Sequence, residues 1–164
     1  MSEYRGVPED DLRDSVTILI LGGQMGGDFP FDRREYERWM GQAEHTIDAA
    51  KSDLHSQFYS WACFKCQQAA EYGIKALLRG VGLQAPGHSL LKLLSEMKGG
   101  GSHIPGEIEE GARTLDRYYI PTRYADTFED GSPYEYFSEQ DAKRAIQIAE
   151  EIIGFIQEEI EKHV

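Results

Sequence analysis

The chain has 164 residues, and 17 basic against 29 acidic side chains leave a formal charge of −12. That balance excludes a sequence-independent coat for nucleic acid, which rests on many Lys/Arg–phosphate contacts, but leaves room for a small site holding one nucleotide or one phosphate. With 40% apolar and 11% aromatic residues the chain is not disordered, no apolar run nears the roughly 20 residues of a membrane span, and one domain is the default at this length. The start Met1-Ser2-Glu3-Tyr4-Arg5 has neither the basic nor the apolar region of a signal peptide, and two cysteines make no disulfide scaffold. The expected setting is a reducing cytoplasm.

Residues 1–33 read as an arm or linker. Val16-Thr17-Ile18-Leu19-Ile20-Leu21 is a short β-branched run with strand or extended-arm character, followed by Gly22-Gly23-Gln24-Met25-Gly26-Gly27. The glycines lack the GxGxxG and Gly-Lys-Ser/Thr spacings of a phosphate cradle, so they read as a flexible exit.

From Asp32 the period is helical. Trp39, Ala43, Ile47, Ala50 and Leu54 share one face, Asp32 is an N-cap, and Glu35 stands in capping-box position. A second helix is expected from about Phe58 to Leu78. Ala62, Cys66, Ala69, Ala70 and Gly73 form a small stripe for close helix approach, Phe58, Trp61, Phe64, Leu77 and Leu78 supply bulk, and Gly80, Gly82 and Pro86 end it. Ser89 caps a short third helix with Leu90, Leu91, Leu93, Leu94 and Met97 as its apolar residues, closed by Gly99-Gly100-Gly101. Pro105 opens a fourth helix at its first helical position, carrying Ile108, Ala112, Leu115 and Tyr119 up to Pro121. Thr122 to Phe137 reads as an aromatic, acidic loop. Ser138 then caps a long final helix with the stripe Ala142, Ala145, Ala149, Ile152, Ile156 and Ile160. The expected fold is all-α, an antiparallel up-and-down bundle of four to five helices over residues 34–164.

Three segments could carry chemistry. Cys63-Phe64-Lys65-Cys66 is formally CxxC, but it lies inside a helix and has no second ligand pair, so two packing thiols and no metal site are the better reading. Glu71 and Lys75 within Gln67-Gln68-Ala69-Ala70-Glu71 stand at i,i+4; an ordinary solvated pair is the plain reading, although neutral amides turned inward would need partners. In Asp116-Arg117-Tyr118-Tyr119-Ile120-Pro121-Thr122-Arg123-Tyr124-Ala125-Asp126, Pro121 fixes a turn that projects Arg123 and Tyr124. A guanidinium between Tyr119 and Tyr124 can bind phosphate while a ring stacks on a base. The alternative is an arginine paired to Asp126 or Asp116 that locks the turn.

The last two of these segments, with others along the chain, resemble the HEPN domain family from about Arg34 to Val164. The resemblance rests on Trp39 and Ala43, on Gln67-Gln68-Ala69-Ala70-Glu71 with Lys75-Ala76, on His88-Ser89-Leu90, and on Tyr119-Ile120-Pro121-Thr122-Arg123-Tyr124. It implies a helical bundle that forms homodimers, association with nucleotide binding, and a minimal nucleotidyltransferase as partner in a toxin–antitoxin pair. A subset of the family are metal-independent endoribonucleases with an Arg-x(4–6)-His motif at the dimer cleft. Here Phe128, Glu129 and Asp130 follow Arg123 where that histidine would stand, and Arg38 with His45 matches the spacing only on the first helix.

Three functional expectations follow. The first is a module binding a nucleotide or RNA through Arg123, Tyr124, Tyr119, His88 and Asp126, with no cofactor, metal or membrane. The second is an endoribonuclease toxin, in which Arg123 works with Tyr124 or with His88 as a tertiary neighbour. The third is a non-catalytic assembly protein, whose Val16–Leu21 run pairs with the bundle or with a second protomer.

Overall fold

The computed structural model describes residues 31–161. Among them the chain forms α1 (Arg33–His55), α2 (Tyr59–Gly80), α3 (Leu90–Gly99), α4 (Gly106–Asp116), α5 (Pro133–Tyr136) and α6 (Glu139–Glu161), with no strand. The expected strand at Val16–Leu21 and the glycines after it lie outside the described residues.

The helices start where their caps stand. Asp32 accepts from the Glu35 backbone N–H at 2.9 Å, Ser89 from Lys92 at 3.3 Å, and Ser138 from Asp141 at 3.2 Å. Only half of the capping box at α1 forms, because the Glu35 carboxylate turns instead to the Trp39 indole N–H at 2.8 Å.

The core centres on α2, which packs against α1, α6, α3 and α4. Its small stripe is what admits them. A Cβ on Gly73 would lie 3.2 Å from Ile153 of α6. One on Gly80 would lie 2.4 Å from the Phe31 ring, which closes that end of the bundle. Asp32 N–H donates to Gly80 C=O at 2.7 Å, so α1 and α2 run antiparallel. Lys51 meets Glu150 and Gln157 meets Glu44, so α1 and α6 are antiparallel as well. Hence α2 and α6 point the same way, and α3, α4 and the turns after them carry the chain back. The whole stripe Ala142, Ala145, Ala149, Ile152, Ile156 and Ile160 of α6 is buried. No described helix is long and apolar enough to cross a membrane.

Four local expectations change. Phe58 and Trp61 are exposed rather than part of the packing, because they stand at the start of α2 on the side its neighbours leave open. Pro105 is the N-cap of α4, not its first helical residue. That helix ends at Asp116, and residues 117–123 form successive turns that take Tyr119 out of it. Within the expected 122–137 loop, Ser132 and Glu135 build a reciprocal capping box around the single turn α5.

Cys63 and Cys66 are both buried and free. Burial pushes the Cys63 thiol from 9.0 up to about 12 and drives Cys66 upward too, the opposite of a reactive CxxC.

Candidate functional site

Gln67, Gln68, Glu71 and Lys75 occupy one sector of α2, facing the α2–α3 loop. The Glu71–Lys75 pair is not solvated: the side chains are 3% and 10% exposed, with Nζ 2.8 Å from Oε1. Gln68 Nε2 donates to Glu71 Oε2 at 3.2 Å and to Gln67 Oε1 at 2.7 Å, while Gln67 Nε2 donates to the His88 carbonyl at 2.7 Å. The inward amides therefore find partners, as buried polar groups must.

His88 completes this group from the loop. Ala85 (φ 48°) and Gly87 (φ 86°) both take left-handed backbone just before it. Such a conformation in alanine costs about 1–2 kcal/mol, so the surrounding packing holds the loop in place. Asp116, at the end of α4, fixes the other side. Its carboxylate accepts from Ser89 Oγ at 2.9 Å, Leu90 N–H at 2.8 Å and Leu91 N–H at 3.2 Å, clamping the N-terminus of α3 directly after His88.

The His88 Nδ1 lies 3.1 and 3.2 Å from the two Glu71 oxygens. A carboxylate only accepts, so Nδ1 carries the hydrogen, and Nε2 makes no hydrogen bond among the described residues. The side chain is 56% exposed. The imidazole is stacked on Tyr119, with centroids 5.0 Å apart and planes 17° from parallel.

Tyr119 also carries Arg123. The guanidinium lies 4.6 Å from the Tyr119 ring centre, 4.2 Å from Phe64 and 5.0 Å from Tyr124. Its Nε and Nη2 donate to the Tyr119 carbonyl at 2.9 and 2.7 Å, and Thr122 Oγ1 to the Tyr118 carbonyl at 2.6 Å, which sets the turn. Arg123 lies between Tyr119 and Tyr124 as expected, whereas the alternative aspartate pair does not form. Part of its fork is spent on its own backbone, and no ion pair joins it to Asp126 or Asp116 among the described residues. The Asp116 carboxylate is committed to α3 instead. Nη1 makes no hydrogen bond among the described residues, and the guanidinium lies in a cage of rings rather than carboxylates. Asp126 is exposed and stands apart from this cluster.

The structure thus brings together His88, Tyr119, Arg123 and Tyr124 and leaves Asp126 outside. Sequence reasoning missed Phe64, assigned to core bulk, and the role of Glu71 as the partner of His88. The signal was present: Phe64, Gln68, Glu71 and Lys75 recur at three- and four-residue steps on α2. Arg38 and His45 lie exposed on α1, and Arg38 pairs with Glu35 at 3.4 Å.

The family model described as "HEPN domain" matches residues 36–160. Among solved structures, TT1696 from Thermus thermophilus is 37% identical with a TM-score of 0.74, covering 76% of this chain and 98% of its own. ST0689, described as an archaeal HEPN homologue, is 36% identical with a TM-score of 0.65, covering 76% of this chain and 97% of its own. A HEPN domain protein from Thermotoga maritima is 36% identical with a TM-score of 0.60, covering 74% of this chain and 95% of its own. No curated protein matches the chain.

Proposed function

The chain belongs to the HEPN domain family, and we propose that it is a nucleotide- or RNA-binding module whose ligand sits on His88, Tyr119, Arg123 and Tyr124. One observation carries the reading: a guanidinium caged by Phe64, Tyr119 and Tyr124 without a carboxylate partner, beside an imidazole stacked on the same tyrosine. Nη1, with no hydrogen bond among the described residues, suits a phosphate oxygen, and the exposed Tyr124 ring suits a base. Calorimetry with ATP, GTP and short RNAs is expected to give saturable heat that Arg123→Ala abolishes. No heat with any of them, or an unchanged variant, overturns the reading.

A second reading, metal-independent endoribonuclease, is favoured by the Glu71–His88 contact. A carboxylate that holds Nδ1–H orients Nε2 as a base for a ribose hydroxyl, with Arg123 placed for phosphate charge. Here the histidine comes from the α2–α3 loop rather than from a position shortly after the arginine. Cleavage of labelled tRNA or mRNA without added metal, lost in His88→Ala and Arg123→Ala, would establish it. Intact RNA leaves the binding module. The family relationship further supports a homodimer and a minimal nucleotidyltransferase as partner in a toxin–antitoxin pair. Sedimentation of the purified chain tests the first of these, and copurification with a co-expressed nucleotidyltransferase tests the second.

A further inference from the structure

Most of α2 is buried, and what remains forms one stripe. Trp61, Phe64, Lys65, Gln68, Tyr72 and Arg79 are its exposed or half-buried residues beyond Tyr59 at the first turn, and at 100° per residue they fall on a single ridge. Arg123 lies over this ridge at Phe64, and Trp61 meets Phe64 edge-on with centroids 6.3 Å apart. Further along stands a second cluster of the same kind. The Trp39 ring of α1 lies 5.9 Å from Tyr72, and the Arg79 guanidinium lies 4.4 Å over Trp39. Arg79 Nε is buried without a hydrogen-bond partner, and the nearest carboxylate contact of this arginine is a loose 3.8 Å to Glu35, already engaged by the indole.

We infer that these two arginine–aromatic stations take successive segments of one strand, so that the ligand is a single-stranded oligonucleotide and not a mononucleotide. The inference rests on the binding reading above and names its ligand class. Phe64 and Tyr72 are eight residues apart and Phe64 and Arg79 fifteen, which places the stations about 12 to 22 Å apart along α2, beyond one base and its phosphate. Each station sets a guanidinium against aromatic rings, and rings with cations are the combination that holds single strands without reading their sequence. Charge agrees. Of the carboxylates beside the ridge, Glu71 is neutralised by Lys75, Asp53 by Lys65 at 2.6 Å, and Glu35 faces Arg79, while Arg123 has no carboxylate against it. In a chain of charge −12 a phosphate backbone on this ridge would meet carboxylates already matched by cations.

The chain's two tryptophans, one at each station, make the test direct. Trp39→Phe leaves Trp61 to report the first station, and Trp61→Phe leaves Trp39 to report the second. AMP is expected to quench Trp61 alone, and an octanucleotide both. The octanucleotide is expected to bind at least tenfold tighter than AMP, and Arg79→Gln to remove about tenfold from the octanucleotide while leaving AMP unchanged. Oligoribouridylate and oligothymidylate run side by side decide whether the strand is RNA or DNA. Equal affinities for AMP and octanucleotide, or an Arg79→Gln variant with unaltered octanucleotide binding, overturn the two-station track but leave the first site standing. No quenching by AMP or any oligonucleotide overturns the underlying reading as well. A stable dimer that Trp61→Ala converts to monomers, with no oligonucleotide bound by either form, assigns the ridge to a second copy of the chain and likewise overturns the track.

Discussion

The two long sides of the bundle treat charge in opposite ways. Along the seam of α1 and α6, Glu37, Glu44, Asp48, Glu150 and Glu161 rim an open groove with Tyr36, Met40, Ile47, Ile153 and Ile160 beneath. Lys51 and Glu150 bridge it, each 48% exposed. Burial, and after it the nearby Glu44 and Glu161, pushes the Tyr36 hydroxyl above its ordinary value. On the α2 ridge the carboxylates are fewer and matched by cations, and the Glu71–Lys75 pair is nearly dry. An ion pair in water contributes little, whereas one out of water must be completely partnered. The ridge therefore carries a costly arrangement that packing alone does not require, and His88 is tied to it.

Breaking each pair separates the two sides most sharply. Glu71→Ala leaves Lys75 buried without its partner and is expected to cost about 3–5 kcal/mol in urea denaturation. A loss below about 1 kcal/mol would show that water enters the ridge and that the pair is no different from those at the seam. Alkaline titration comes next. Burial raises Cys63 from 9.0 to about 12 and raises Tyr118, while the bond to Glu150 raises Lys51. A raised pKa means the folded state holds its proton longer, so stability is full below about pH 9 and is lost as pH rises through about 12. For Cys63 alone the loss is on the order of a few kcal/mol. Thermal melts should show it, and Cys63→Ala should shrink it; a flat profile would mean the thiol is accessible.

Asp116→Ala is expected to cost about 1–2 kcal/mol by uncapping α3. It should also weaken AMP binding, because His88 precedes the clamped Ser89. Wild-type binding in the uncapped variant would show that Glu71 alone positions the imidazole. The smallest effect belongs to the seam: Lys51→Ala should cost at most about 1 kcal/mol and leave nucleotide binding untouched.

Much of the fold was legible because helical spacing and capping are local. The stripe of α6, the small face of α2 and the caps Asp32, Ser89 and Ser138 all follow from residues within one or two turns of each other. The site was legible only in part. Tyr119, Arg123 and Tyr124 are close in the chain, and the turn at Pro121 pointed to them. Two of the rings around Arg123, Tyr119 and Tyr124, were therefore readable; the third, Phe64, was not, since it lies far upstream, and nothing local showed that the competing partner Asp116 is claimed by α3.

The order of apolar, small and polar residues by itself determined an all-α chain, where its long helices run and which faces they bury, because those depend on periodicity and nearest neighbours. Only the tertiary structure decided which polar groups leave water. It turned Glu71 and Lys75 from a surface pair into a buried one, swung His88 from the α2–α3 loop onto that carboxylate, and aligned Trp39 with Tyr72 and Arg79. Desolvation depends on what other helices cover, and that is fixed by contacts distant in sequence.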